Sequence, residues 1–240
     1  MAELEVAKHG KNVIHMAVAK EHGIGHKLRE IALEIAIIVF AVSISIWFHS
    51  MSEHRHEQQQ VKSFLLGLKA DLANDAANLA GLAQSYHEAD ANYKYLAALD
   101  PKGRPDGEKF MQAYALMDTN RFFKPERSRF EGFKSAGKLT NIEDAALLND
   151  ILDLHQALLP SIQSSENFWR TSQEKLRAYM DISLDQGDEP AQLYAALTTP
   201  KAKRLLRRMA TSPELYERYQ KYIALSQKII QQIDAAYPGA

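Results

Sequence analysis

The chain has 240 residues, with 29 Lys+Arg against 30 Asp+Glu and a formal net charge of −1. That balance excludes a whole-chain nucleic-acid binder, which carries a basic excess, and 46% hydrophobic with 25% charged residues excludes global disorder. The lack of cysteine removes disulfides, thiolate catalysis and cysteine-ligated metals, and only 11 Gly and 8 Pro favour helix over a turn-rich β architecture.

Residues 1–27 read as a short cytoplasmic segment. Val13, Ile14, Ala17 and Val18 recur at helical spacing before Gly23 and Gly25 interrupt them. Such an amphipathic helix suits the inner leaflet or a partner and is too short for an output domain. Next comes Ile31 to Phe48, IALEIAIIVFAVSISIWF, in which all but Glu34, Ser43 and Ser45 are apolar. Crossing a bilayer takes about 20 residues, and extension to Leu28 and Met51 supplies them, so a transmembrane helix is expected over 28–51. Trp47 and Phe48 suit one interface, and Lys27 with Arg29 brackets the other. The apolar run starts late for a cleaved signal and lacks a small-x-small site after it, which predicts an uncleaved signal anchor. Lys11, Lys20, Lys27 and Arg29 precede the span, against Arg55 and Lys62 just after it. That bias places the N-terminus in the cytoplasm and the rest of the chain outside it. Glu34 lies one turn inside the apolar run. It reads as a snorkelling or protonated carboxyl, as a polar contact between packed spans, or as part of a relay, although one carboxylate makes no pathway.

Beyond the span, apolar residues fall at Val61, Leu65, Leu68, Leu72, Leu79, Leu82, Tyr86, Ala89, Tyr93 and Leu96. This is a heptad stripe broken only by Asp75. It predicts a long helix, continuous with the membrane helix to about Leu99, with Gly67 and Gly81 as candidate kinks. From Leu28 to Leu99 such a helix would measure about 108 Å. The stripe fits either an oligomeric coiled coil or the core face of an intramolecular bundle. DPKGRPDG, residues 100–107, is a turn, and a helix is expected over about 108–118. Residues 119–139 are less regular. Thr140 with Glu143 reads as a capping box opening a helix to about Leu159, where Pro160 marks a kink or a new start. A further helix is expected over about 161–183, with Ile162, Phe168 or Trp169, and Leu176 inside. LDQGDEP, residues 184–190, is a loop. Thr199-Pro200 and Ser212-Pro213 each set an N-cap before a first-turn proline, starting helices at about 200–210 and 213–236. The fold expectation is all-α. One N-terminal transmembrane helix continues into a long helix, and one extracytoplasmic helical bundle occupies residues 52–240.

LEIAIIVFAVSISIWFHSMSEHR, followed at a fixed distance by FLLGLKADL, resembles an uncharacterised family of bacterial single-span membrane proteins. The positions that carry the likeness are Glu34, Trp47, the charged stretch from Glu53 to Glu57, and Leu65, Leu68, Asp71 and Leu72 of a Leu-x-x-Leu-x-x-Asp-Leu motif. FEGFKSAGKLTNIEDAALLNDILDLH is similar to a second motif of that family, through Phe130, Gly137, Lys138, Leu139 and Ile142. The chain departs at Phe133, often Leu there, at His155, often Tyr, and at Phe48 and His49, where the family's span ends Asn-rich. The resemblance covers most of residues 27–160 and, more loosely, 200–236. It implies a single-pass protein of the bacterial inner membrane with a periplasmic helical domain, and it brings no known activity, cofactor or catalytic residue.

The chemistry is sparse. His22 and His26 stand four apart, but Gly23 and Gly25 weaken the helix that would present them. His49, Glu53 and His56 share a face with Glu57 nearby, and two such faces from neighbouring subunits would make a weak candidate metal site. The plainer reading is a solvated stretch beside the membrane. EHRHE has the letters of HExxH without the spacing, and GxxxxGK[ST], GxGxxG and GxSxG are absent. The scattered carboxylates suggest no inward-facing pair. Neither an enzyme nor a cofactor is expected. KAKRLLRRM, residues 201–209, projects Lys201, Arg204 and Arg208 in one row and Lys203 and Arg207 in a second. That face suits solvent, lipid headgroups or an acidic partner. The expected function is a membrane-anchored structural or interaction protein, self-associating through Glu34, Trp47, Leu65, Leu68 and Leu72. The alternatives are a small-molecule sensing module, or an accessory subunit of a transporter or respiratory complex. The expected partners are the lipid bilayer and a second copy or another membrane protein, not nucleic acid.

Overall fold

A computed structural model describes residues 24–105, 107–119, 121–184 and 189–239. The amphipathic segment expected before the span, with His22, and most of the 184–190 loop lie outside the described residues. The helices are α1 (Ile24–Ala98), α2 (Gly107–Ala115), α3 (Ser128–Ser135), α4 (Ala145–Leu152), α5 (Leu159–Ser183), α6 (Pro190–Leu197), α7 (Pro200–Arg208) and α8 (Pro213–Ala236). No strand occurs among the described residues, so the fold is all-α. Helix α1 is unbroken at Gly67 and Gly81, the two candidate kinks. The chain divides into two compact units, Met1–Glu57 and Gln58–Ala240.

The described part of the first unit is helix. Its large apolar side chains between Ile31 and Phe48 stand 37% to 67% exposed on every side. A helix with no polar face is not a water-facing element. By length and composition it is able to cross a membrane. Ser45 donates its hydroxyl to the Ala41 carbonyl at 2.9 Å, which satisfies it within the helix.

In the second unit the directions of the long helices follow from their contacts. Gln58 donates to the Asn141 carbonyl at 3.0 Å, and Tyr86 meets Trp169 edge-on at 5.3 Å. The stretch formed by α4 and α5 therefore runs the same way as α1. Lys62 lies over the Tyr237 ring and Lys69 pairs with Asp234, so α8 runs back along α1. Two parallel helices need a return between them, and residues 99–144 make it. The segment 121–127 crosses the domain without helix, flanked by α2 and α3.

The heptad stripe faces this interior. Leu65, Leu68 and Leu72 are buried with Leu79, Tyr86, Tyr93 and Leu96, and so is Asp75, the residue that broke the pattern. This corrects the coiled-coil reading of the stripe. A face packed on helices of its own chain has no surface left for a second copy.

Local start signals were read with mixed success. Thr199 caps α7, accepting from Ala202 N at 3.2 Å. Ser212 holds the N-cap position of α8 but makes no side-chain cap bond. The capping box at Thr140 is not formed, because residues 138–141 make a 3-10 turn and Thr140 bonds back to the Gly137 carbonyl. Asp144 is the cap of α4, accepting from Ala146 N at 2.9 Å and Leu147 N at 3.0 Å. Pro160 sits in the first turn of α5, the new start that the sequence offered, and a π-turn at Asp153–Leu158 joins α4 to it. Ile162, Trp169 and Leu176 point inward from α5, whereas Phe168 is 71% exposed. Helices α3 and α6 are additions to the sequence expectation.

Gly81 is an exposed residue inside α1, and a Cβ built on it meets nothing within 4 Å. Gly81→Ala should stabilise the domain by about 0.5–1 kcal/mol, because alanine loses less backbone freedom in a helix. A thermal midpoint raised by about 1–4 °C is expected by circular dichroism. An unchanged or lowered midpoint would mean that Gly81 meets something outside this chain.

Candidate functional site

Two features of the domain carry polar chemistry. One is internal and holds the crossing segment. The other is an exposed basic face.

The crossing segment buries Arg121 and Phe123, so its backbone groups lose water and need partners. Side chains of α1 and α5 supply them. Tyr86 donates to the Arg121 carbonyl at 2.6 Å, and Tyr93 to the Met117 carbonyl at 3.1 Å. Gln173 donates to the same Met117 carbonyl at 2.8 Å. Glu166 accepts from Phe123 N at 3.0 Å and Asp75 from Glu126 N at 3.1 Å. Each of these two carboxylates also accepts from a tyrosine of α8. Tyr219 donates to Glu166 at 2.5 Å and Tyr222 to Asp75 at 2.9 Å. The sequence suggested no inward-facing pair of carboxylates; the structure buries these two, each with its own set of donors. Asp75 was visible only as a gap in the stripe, because its partners lie 51 and 147 residues away.

Burial raises the pKa of Asp75 and Glu166, and their hydrogen bonds pull it partly back. Burial also raises Tyr219 and Tyr222, which keeps them as donors. His155, in the π-turn, stacks on Phe130 at 4.0 Å, and neither ring nitrogen has a partner. Burial, helped by the Arg127 guanidinium, lowers it from 6.5 to about 4.

The basic face is α7. Lys201, Arg204, Arg207 and Arg208 are exposed, while Ala202, Leu205 and Leu206 face the core. Lys201 sits over the Tyr179 ring at 5.0 Å, and Lys203 donates to the Leu99 carbonyl. Among the described residues no carboxylate pairs with any cation of this helix. Beside it runs an open groove of about 1000 Å³, with Pro101 on one wall and Lys203, Arg204 and Arg207 on the other.

The remaining residues singled out by the sequence are separate from both features. Glu34 is exposed among the apolar side chains of the first unit. Trp47 is exposed and meets the Phe48 ring edge-on at 5.1 Å. Leu65, Leu68 and Leu72 are core. His49 contacts Glu53 at 3.2 Å, and among the described residues no three His, Asp or Glu side chains come together as metal ligands. No family model matches this chain, and no curated protein and no solved structure is significantly similar to it.

Removing the Glu166 carboxylate strands both the Phe123 N–H and the Tyr219 hydroxyl in the core. Glu166→Ala should cost about 2–5 kcal/mol, since each buried orphan costs roughly 1–3. Glu166→Gln keeps an acceptor and should cost less than half as much by urea denaturation. Equal losses would mean that packing, not hydrogen bonding, makes the residue matter.

A lowered histidine pKa means the unfolded chain binds the proton more tightly. The stability it confers is complete above pH 6.5 and is lost as pH falls toward 4. Between pH 7 and pH 5 this loss is about 2 kcal/mol. The raised carboxyls act in the opposite sense, favouring the fold at low pH and giving this up as pH rises through their folded values. His155→Phe should therefore stabilise the domain more at pH 5 than at pH 7. The same gain at both values would show that His155 does not titrate on unfolding.

Proposed function

We propose that this chain is a membrane-anchored interaction protein without enzymatic activity. One span holds the helical domain on the outer side of a bacterial inner membrane, and the α7 face meets a partner. The observation that carries the reading is the separation of apolar surface within one chain. Ile31–Phe48 exposes apolar side chains all round, whereas the second unit buries most of its own and leaves only scattered ones such as Phe168 and Ile182 exposed. The first needs lipid, and the second is a self-sufficient fold. Four basic residues before the span against two after it support the orientation. The resemblance of the Glu34–Trp47 segment to single-span proteins supports the same topology. Glu34, with Ala32, Ala36, Ser43 and Ser45, gives the span polar and small groups suited to packing against a second copy. Small-molecule sensing is the second reading. The hollow beside Met117, Gln173 and Met180 holds about 270 Å³ and is more enclosed than the larger α7 groove, which is open to solvent.

The natural absence of cysteine makes single-cysteine variants clean reporters. In cells, Lys102→Cys should react with a membrane-impermeant maleimide and Ala2→Cys should not. Both proteins should stay in the membrane pellet after alkaline carbonate extraction. Ser43→Cys should crosslink to a dimer under mild oxidation, and Glu34→Leu in that background should reduce the dimer several-fold. Release by carbonate would sink the anchor, reversed labelling the orientation, and a dimer unaffected by Glu34→Leu the polar contact.

A further inference from the structure

From the α7 groove we infer that the occupant of the basic face is an acidic segment of a partner protein carrying an apolar anchor. The inference rests on reading the domain as an interaction module.

The first observation is charge that the fold does not use. Five cations lie in the nine residues Pro200–Arg208, in a chain whose formal net charge is −1. Helix stability does not account for them. Arg207 and Arg208 sit in the last turn, where the helix dipole favours a cation, but Lys201 and Lys203 sit in the first turn, where it does not. Arg204, Arg207 and Arg208 have no carboxylate partner among the described residues. Mutual repulsion of such a cluster is relieved when an anion arrives. Lys201 and Lys203 are already held, by the Tyr179 ring and the Leu99 carbonyl. The three guanidiniums are left, at i, i+3 and i+4 on one helix side, about 5–6 Å apart at Cβ. Guanidinium forks match carboxylates two bonds at a time.

The second observation is shape. The groove is open and about 1000 Å³, and it is walled by Pro101, Pro200 and Ala195 as well as by cations. A small inorganic anion would leave that apolar wall bare. Arg208, next to Arg204 and Arg207, borders a second hollow of about 480 Å³ together with Phe168, Leu205 and Lys175. Phe168 is 71% exposed on a helix whose neighbouring Trp169 is buried, so it is surplus to the core. An exposed aromatic beside arginine is the composition of a protein-binding hot spot.

The third observation is position within the domain. Helix α7 is tied to Leu99, just past the end of α1, and residues 58–98 span about 60 Å of helix, so α7 lies at the end of the domain away from residue 58. The mixed lining of its groove, cations beside Pro101, Pro200 and Ala195, favours a protein segment over lipid headgroups alone.

The test uses the full chain in nanodiscs of zwitterionic lipid and a fluorescent Glu-rich peptide with one central Phe, read by anisotropy. The peptide should bind, and Arg204→Glu with Arg207→Glu should weaken it at least tenfold. Phe168→Ser, which leaves the charge unchanged, should weaken it several-fold. Lys124→Glu with Lys221→Glu makes the same change in net charge elsewhere and should leave binding within twofold. Circular dichroism of each variant separates lost binding from lost fold. Equal weakening by the two charge pairs would overturn the site. Full displacement by tripolyphosphate with no effect of Phe168→Ser would make it a simple anion site. Binding to anionic-lipid vesicles but not to the peptide would make the occupant a bilayer. A chain that never enters the nanodisc defeats the anchor reading. A chain that enters and ignores the peptide defeats this one.

Discussion

Everything in the second unit depends on one requirement. A stretch of non-helical backbone passes through a helical interior, and its N–H and C=O groups must be met by side chains. Helices satisfy their own backbone, so an all-helical core ordinarily needs no buried polar groups. Here Met117, Arg121, Phe123 and Glu126 each present a backbone group inward, and Asp75, Tyr86, Tyr93, Glu166 and Gln173 answer them. Tyr219 and Tyr222 close the arrangement by donating to the two carboxylates. The crossing is needed because α1 and the stretch α4–α5 run the same way. Parallel helices joined in sequence require a return, and this return goes through the domain. The polar residues of the core are thus a consequence of topology.

How much of this was legible depended on range. The apolar helix was legible because apolarity over eighteen residues is a property of one segment. The stripe from Val61 to Leu96 was legible because it repeats within one helix, and Thr199 because a cap bonds to a residue three positions on. Whether the stripe met its own chain or a second copy was not legible, since a heptad looks the same from either side. The Thr140 box failed against a stronger local competitor. Asp144 offers one oxygen to two N–H groups, and the helix starts there. Choosing Trp169 over Phe168 needed the direction of α5, because the two are adjacent and equally apolar. Asp75 and Glu166 were the least legible, since a buried carboxylate is defined by partners that only the fold brings near.

The basic face stands apart from that logic. Its cations were read from the sequence, and the structure adds that no described carboxylate neutralises them and that a groove runs beside them. The groups around the crossing segment are answered by side chains of the chain itself. The α7 guanidiniums have no carboxylate partner among the described residues, which separates groups the fold needs from groups it merely carries.

The antiparallel return of α8 along α1 also sets an order of events during synthesis. Lys69 finds Asp234, and Asp75 finds Tyr222, across 165 and 147 residues of chain. Helix α8 begins at Pro213, well over a hundred residues after α1 ends at Ala98. At roughly 5–20 residues per second, the ribosome completes α1 about 6–25 seconds before α8 exists. Throughout that interval the face of α1 that carries Lys69 and Asp75 lacks Asp234 and Tyr222, so the domain closes only once α8 has emerged. A truncation that removes α8 would leave the domain with an open core, so the two dozen residues Pro213–Ala236 act as its latch.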